Sequence, residues 1–341
     1  MSYLNTDVPE LKGYDTGTVL GNLELQEGRL ERMLEGTVGE LSELSEAILR
    51  DASEDPDTVF SILLSLRGPS GEEENNPLKN RGLLKENIPV LSNMIRHWGL
   101  YERLVLYGFI TARIHTLPLL GSFSEDIPSA AKGRIAYMAG ALADKAYIRF
   151  AEHIPHCRAA AFHSFVDACE EVRGGLCEYC LLPLESTTEG KLLGFSRLII
   201  KYRLRIVAVC DIHGAGEEIM RFALLKTADI DWRAEPSPFA MDQFSVNYLE
   251  VLHAVPQPSY SELTAAAEFF GLTPVRVDTL PKNDIYTFRS NFAGQNPTAQ
   301  DLSQPLITTV WQVGGRNLSA FLCYLALEAS EDPILGLYPL I

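Results

Sequence analysis

From residue 134 onwards, short apolar runs alternate with segments whose apolar residues recur at helical spacing. Apolar runs bounded by turn residues are typical of buried strands, and the segments between them are long enough for helices. Strands that alternate with helices predict an α/β layer. The predicted strands are 135–138, 159–162, 179–184, 206–210 and 221–225, and the predicted helices are 143–151, 165–172 and 192–201.

The last hundred or so residues form a separate pattern, in which strands outnumber helices. Strands are predicted over 244–255, 274–280, 285–292, 306–313 and 334–340, and helices over 260–270 and 318–329. This order is a βαββαβ pattern with one additional strand. It follows a Pro-rich, acidic connector over residues 228–242.

The N-terminal part is predicted to be helical throughout. Residues 21–50 carry apolar side chains at helical spacing, and Asp55 followed by Pro56 predicts the start of a second helix over 58–66. A third helix is predicted over 89–115. The predicted organisation is a leader (1–20), a helical domain (21–120), an α/β domain (133–228) and a C-terminal domain (242–341).

Charge and hydropathy exclude several classes of partner. The formal net charge of -16 disfavours nucleic acids and anionic membranes, since both attract basic surfaces. No apolar stretch is long enough to predict a membrane span, and residues 1–18 lack the basic and apolar regions of a signal peptide. We therefore expect a cytoplasmic protein that binds neither nucleic acid nor membrane.

The six cysteines are predicted to be reduced core thiols. Cys177 and Cys180 match a C-x-x-C pattern, which can indicate a metal or redox pair. The family resemblance described below implies, however, that both lie on one strand, where side chains three residues apart point to opposite faces and do not chelate together. The sequence therefore predicts no metal site, and nothing in it indicates a cofactor.

The most informative segment for function is 176–190, where an apolar run reaches Pro183 and continues into Glu185, Ser186, Thr187 and Thr188. This pattern predicts a strand that enters an acidic, hydroxyl-rich turn opening a helix. Helix starts carry free N–H groups and favour anions. The segment therefore predicts a carboxylate-binding site, although the same residue types also serve as ordinary helix caps.

Pro183-Leu184-Glu185-Ser186-Thr187-Thr188-Glu189-Gly190 resembles the P-[IL]-E-N-S-x-x-G turn of the prephenate dehydratase family. The flanking segments 134–137, 161–168 and 198–211 are similar to that family's neighbouring strands and helices. The C-terminal unit resembles an ACT domain, since 277–281 stands where that domain has an I-E-S-R-P effector motif. Residues 334–339 are similar to its terminal L-G-S-Y-P.

The resemblance implies an α+β multidomain protein in the order of the bifunctional chorismate mutase–prephenate dehydratases. Its parts would be an N-terminal helical, chorismate-mutase-like domain and a single α/β lobe of the prephenate dehydratase, periplasmic-binding-protein-like type. A ferredoxin-like ACT domain would follow. Candidate arginines for a mutase cavity are Arg29, Arg32, Arg50, Arg96, Arg103 and Arg113, although arginines on amphipathic helices are most often solvated or in surface ion pairs.

The dehydratase family has a second lobe and a T-R-F motif on the strand that returns from it. Met220-Arg221-Phe222 resembles that motif, yet only residues 212–219 separate it from the preceding strand. The second lobe is therefore expected to be absent, which would leave a cleft with one wall. Met220 stands where the resemblance implies the catalytic threonine, and a thioether has no proton to donate to a leaving hydroxide.

The candidate residues follow from these resemblances. The catalytic candidates are Glu185, Ser186 and Arg221, and the substrate-binding candidates are Ser186, Thr187, Thr188, Arg221 and Phe222. The candidate effector-binding residues are Tyr260, Glu262, Leu263, Asp278 and Thr279. For Arg221, the alternative to ligand binding is an ion pair with Glu217 or Glu218.

We expect a degenerate, homodimeric protein of phenylalanine biosynthesis that does not dehydrate prephenate. It would bind a small carboxylate such as prephenate, chorismate or an aromatic amino acid, or act as a regulator or scaffold, with residual chorismate mutase activity in the helical domain. The alternative is an active prephenate-consuming enzyme, either a dehydratase or a non-aromatising decarboxylase.

Overall fold

The structure is a computed structural model. It describes residues 36–50, 52, 55, 58–59, 62–63, 99–114, 128–227, 239, 243–253, 259–280, 306–314, 317–329 and 334–341. The chain divides into two compact units, Met1–Arg113 and Ile114–Ile341. The predicted leader, most of the connector at 228–242 and the predicted strand 285–292 lie outside the described residues. The predicted domain boundaries stay predictions.

The described parts of the first unit are helical. Residues 36–50 form one helical segment, residues 58–59 and 62–63 are also helical, and helix α1 spans Leu100–Arg113. The Thr58 backbone N–H donates to the Asp55 carboxylate at 2.9 Å, so Asp55 caps the second helix as predicted. The prediction of one continuous helix over 89–115 is wrong at Gly99, which is not helical.

Among the described residues, the second unit is built on a ten-stranded sheet, and the mixed α/β prediction is confirmed. Its strand order is β2-β1-β3-β6-β5-β10-β7-β9-β8, with the short β4 paired to β3. In chain order the elements are β1 Arg134–Met138, α2 Ala141–Ala151, β2 Arg158–Phe162, α3 Phe165–Arg173, β3 Tyr179–Ser186, β4 Gly190–Lys191, α4 Leu193–Lys201, β5 Leu204–His213, β6 Ile219–Thr227, β7 Asn247–His253, α5 Tyr260–Phe269, β8 Leu272–Leu280, β9 Leu306–Val313, α6 Leu318–Glu328 and β10 Ile334–Pro339.

The first half of the sheet, with helices α2, α3 and α4, is called the lobe below. Strands β1, β2, β3 and β5 of the lobe run in the same direction, and β6 runs antiparallel between β3 and β5. Alternate strand residues bury their side chains on opposite faces. One face packs on α2 through Ala146 and Phe150, and the other packs on α3 and α4 through Cys169 and Ile199.

The second half of the sheet, with helices α5 and α6, is called the C-terminal half. Its strand order is β10-β7-β9-β8, and all three neighbouring pairs are antiparallel. Combined with the chain order β-α-β-β-α-β, this is the split β-α-β arrangement. A capping box starts α5: the Ser259 hydroxyl accepts from the Glu262 N–H, and the Glu262 carboxylate accepts from the Ser259 N–H.

The two halves share one sheet because β10 pairs in parallel with β5. Gly336 lies beside Ile206 in this pairing, and a methyl group on Gly336 would stand 2.7 Å from the Ile206 carbonyl oxygen. The Ile341 N–H donates to the Val209 carbonyl at 2.9 Å. Tyr338 of β10 packs into the lobe's core on the α3 and α4 face. Hydrogen bonds and apolar burial therefore both join the halves.

None of the helices within the described ranges is both long and apolar enough to cross a lipid bilayer.

We predict that Gly336→Ala lowers the free energy of unfolding by roughly 1–3 kcal/mol, because the added methyl must push β10 away from β5. Urea denaturation followed by circular dichroism measures this change. Gly194→Ala is the matched control, since no atom lies within 4 Å of an added methyl there. Equal destabilisation by both substitutions would contradict the tight approach at Gly336.

Candidate functional site

The hydroxyl-rich turn forms a hairpin and does not open a helix. Strand β3 ends at Ser186, and β4 returns antiparallel to it, with Lys191 opposite Glu185 and Gly190 opposite Ser186. Gly190 has a φ of +72°, a left-handed conformation that favours glycine. Helix α4 begins only at Leu193 and has no side-chain cap. The prediction that the turn residues open the helix is therefore wrong, whereas the helix predicted over 192–201 is present.

The turn hydroxyls bind a carboxylate of the same chain. The Ser186 hydroxyl donates to the Glu218 carboxylate at 3.0 Å, and the Ser186 and Thr188 oxygens lie 2.7 Å apart. Thr187 exchanges hydrogen bonds with the backbone of Ile219, at the start of β6. An external carboxylate at this turn would have to replace Glu218.

Arg221 is the centre of a row of charged residues across three neighbouring strands. The strand register places Glu185 of β3 and Asp211 of β5 on either side of it. Its Nε and Nη2 donate to both Asp211 carboxylate oxygens at 2.7 and 2.8 Å, and its Nη1 lies 3.1 Å from Glu185 Oε1. The hydrogen bonds to Asp211 raise the pKa of Arg221. The alternative partners considered for Arg221, Glu217 and Glu218, are therefore wrong.

A residue from the C-terminal half contacts the candidate site. Residues 214–218 alone connect β5 to β6, so no second lobe is inserted there, as predicted. Arg276 on β8 contacts the Glu185 carboxylate instead. Arg276 Nε lies 2.8 Å from Asp278 Oδ2. Asp278, a candidate for effector binding, therefore joins the same cluster as Glu185, a candidate for catalysis.

A buried lysine closes the other end of the cluster. Lys191 Nζ lies 3.2 Å from Glu250 Oε1 and 3.1 Å from Asp278 Oδ2, and it donates to the Thr308 hydroxyl at 3.0 Å. The exposed fractions of the Lys191 and Glu250 side chains are 7% and 4%. Burial lowers the pKa of Lys191, but the two carboxylates outweigh it and the pKa is raised.

The Tyr338 hydroxyl donates to the second oxygen of Glu250 at 3.0 Å. Burial and the neighbouring Glu250 hold the pKa of this tyrosine well above 10, so it is a neutral donor at physiological pH. We call the whole set the junction network. It alternates acidic and basic groups across the two halves in the order Asp211, Arg221, Glu185, Arg276, Asp278, Lys191, Glu250 and Tyr338.

The remaining candidates have mainly structural contacts. Phe222 is buried in the core on the α2 face, and Met220 packs against the same core. Glu262 belongs to the capping box of α5, and Leu263 is fully buried. The Tyr260 ring lies 6.2 Å from that of His253, and its hydroxyl accepts from Thr309 at 3.4 Å. Thr279 is exposed on β8.

The cysteine geometry differs from the prediction. Cys177 precedes β3, and Cys177, Cys180 and Cys169 all bury their side chains in the same core. The expected opposite orientation of Cys177 and Cys180 is therefore wrong. All six thiols are free, and no group of three or more ligating side chains that could hold a metal ion occurs among the residues that the structure describes.

Sequence reasoning did not select Lys191, Asp211, Glu250 and Arg276. A signal existed for Glu250, because a single acid interrupts the apolar strand segment 248–252. A buried charge requires a charged or hydrogen-bonding partner, so this position indicated a buried ion pair. Its partner, Lys191, directly follows the turn motif, but no local pattern connects the two positions.

Neither a protein-family model nor a curated protein matches this sequence. Solved structures similar to the chain include a prephenate dehydratase from Streptococcus mutans, with 13% identity and a TM-score of 0.43. The match covers 61% of this chain and 98% of that chain. A prephenate dehydratase from Arthrobacter aurescens in complex with L-Phe has 11% identity and a TM-score of 0.40, with 60% of this chain and 90% of that chain covered.

A third similar structure is that of GqqA, described as a novel type of quorum quenching acylase (15% identity, TM-score 0.39). The match covers 60% of this chain and 94% of that chain.

We predict that Lys191→Met lowers the free energy of unfolding by roughly 3–5 kcal/mol, because it leaves the carboxylates of Glu250 and Asp278 without their shared cation. Urea denaturation near pH 7 measures the change. Lys145→Met is the control, since Lys145 is exposed and should change stability by no more than about 0.5 kcal/mol. A comparably small effect at Lys191 would show that its ion pairs contribute little.

The stabilisation by Lys191 should also depend on alkaline pH. Its folded pKa is raised, so its contribution is complete below the unfolded value of about 10.4 and is lost as pH rises through the folded value. We expect stability above about pH 10 to fall more steeply in the wild type than in Lys191→Met. The raised pKa of Tyr338 also lowers the stability of both proteins at alkaline pH. Parallel pH profiles in urea unfolding would contradict the prediction.

Proposed function

We propose that this chain is a prephenate dehydratase-related protein that does not dehydrate prephenate. It binds a small carboxylate of aromatic amino acid metabolism, such as prephenate or an aromatic amino acid, and acts as a regulator or scaffold. The sequence motif at 183–190 and the motif-like segment 220–222 support the relationship. In this proposal the protein is a cytoplasmic homodimer and its C-terminal half is an ACT domain.

The observation that carries the proposal is that carboxylates of the chain itself bind the side chains that are candidates for binding substrate. Asp211 and Glu185 hold Arg221, and Glu218 holds the Ser186 and Thr188 hydroxyls. A catalytic site keeps such donors oriented toward the charge that develops in the substrate. Here the donors are already satisfied, so prephenate would have to displace internal partners before any chemistry.

The residue that aligns with the catalytic threonine supports the same conclusion. Met220 is partly buried against the core on the α2 face, and its thioether has no proton to donate. Dehydration requires protonation of the departing hydroxide. The Thr187 hydroxyl, which lies near β6, already accepts a hydrogen bond from the Ile219 N–H.

The joined sheet supports a binding or regulatory role. Glu185 of the lobe and Arg276 of the C-terminal half are in direct contact, so a ligand that changes one contact affects both halves. A coupling of this kind requires a ligand that binds two arrangements with different affinities. The junction network supplies charged groups from both halves for such a ligand.

We predict that the purified protein forms no phenylpyruvate from prephenate above the spontaneous rate, as measured by ultraviolet absorbance. An active prephenate dehydratase in the same assay is the positive control. Calorimetric titration with phenylalanine, tyrosine and prephenate should detect binding of at least one of them.

Phenylpyruvate formation at enzymatic rates would overturn the proposal. Consumption of prephenate without phenylpyruvate, accompanied by carbon dioxide release, would instead identify a non-aromatising decarboxylase. Incubation with chorismate tests the helical unit separately, since conversion to prephenate would demonstrate chorismate mutase activity there.

A further inference from the structure

We propose that Arg221 and Arg276 together form a binding site for the carboxylate of a small aromatic acid, and that Glu185 occupies this site until the ligand displaces it. The inference rests on the proposed function as a carboxylate-binding protein and identifies the site. It differs from a cleft between two lobes, because one arginine comes from the lobe and the other from the C-terminal half.

Each arginine lies beside an aspartate of its own half. Asp211 binds Arg221 through Nε and Nη2, whereas Asp278 lies 2.8 Å from Arg276 Nε without a hydrogen bond between these two atoms. The Nη1 group of each arginine contacts Glu185, on opposite carboxylate oxygens. Two guanidinium groups oriented in advance toward one carboxylate lose little freedom when that carboxylate is exchanged for another.

The site is partly exposed, whereas the Lys191 and Glu250 end of the network is buried. The exposed fractions of the Arg221, Arg276 and Glu185 side chains are 26%, 28% and 23%. Lys191 and Glu250, at the far end, are almost fully buried. Glu185 can therefore move into solvent while the buried end of the network stays intact, and an external carboxylate can take its place.

The neighbourhood favours a ligand with an aromatic ring. Arg221, Ala223 and Leu225 are every second residue of β6, so their side chains lie on the same face of the sheet. Tyr248 and Tyr338 also lie on that face. The two tyrosine rings have centroids 6.0 Å apart, and Tyr248 is only partly buried. Tyr338 is buried, so Tyr248 is the ring against which a ligand ring packs, in an offset or tilted arrangement.

The internal carboxylate determines the affinity. A tethered competitor acts at an effective concentration in the millimolar range, so the wild type should bind a monocarboxylate weakly. Removal of the Glu185 carboxylate should strengthen binding, which is the opposite of what is expected when a ligand-contacting residue is deleted.

Calorimetric titration of the full-length protein with benzoate tests the site. We expect Glu185→Ala to bind benzoate at least about tenfold more tightly than the wild type. Benzamide, which has the same ring without the charge, should not bind either protein measurably. Glu189→Ala is the matched control, because it removes an exposed acid from the same turn, and it should leave benzoate affinity unchanged.

The double variant Glu185→Ala/Arg276→Met should lose the gained affinity. Equal benzoate affinities of wild type and Glu185→Ala, or full retention of the gain without Arg276, would overturn the inference. If circular dichroism shows that Glu185→Ala does not fold, Glu185→Gln replaces it in the same test, because Gln has nearly the same volume as Glu without the negative charge. Prephenate turnover is measured independently, so a protein that dehydrates prephenate but shows this benzoate pattern would defeat only the proposed function.

Discussion

The parallel pairing of β5 with β10 is the constraint on which the rest of the second unit depends. It places two differently built halves in one sheet, and it requires glycine at position 336 because the Ile206 carbonyl lies so close. Once the strands are joined, β3, β4 and β6 on one side face β7, β8 and β9 on the other. The charged side chains of the junction network meet only because this backbone pairing exists.

Within that frame, the junction network explains why so many charges can be withdrawn from water. Each acidic group lies next to a basic group or a hydroxyl, and burial is deepest where Lys191 has two carboxylate partners. Hydrogen-bonded charges in a low dielectric, such as those of Lys191 and Glu250, make a structure rigid, whereas the loss of one partner leaves a buried charge. The same row of residues is therefore rigid at its buried end and open to solvent at Glu185.

Much of the second unit follows from local sequence patterns, since the apolar runs at 135–138 and 306–313 correspond closely to β1 and β9. The β5 and β10 pairing carries no such signal, because the two strands are far apart in the chain. For the same reason, Arg276 and Lys191 could not be assigned to the cluster around Glu185. The turn motif and the segment 220–222 identified Glu185, Ser186 and Arg221 as candidate residues, but their partners depend on the tertiary fold.

The buried thiols have a practical consequence for experiments on this protein. Cys169, Cys177 and Cys180 lie in one core of the lobe, and burial raises the pKa of Cys210 on its other face to about 12. Cys210 therefore holds almost no thiolate at neutral pH, and buried thiols of this kind react with alkylating reagents only when the surrounding structure opens. The rate of their chemical labelling is therefore an intrinsic probe of transient opening in the lobe, with no need for an introduced reporter.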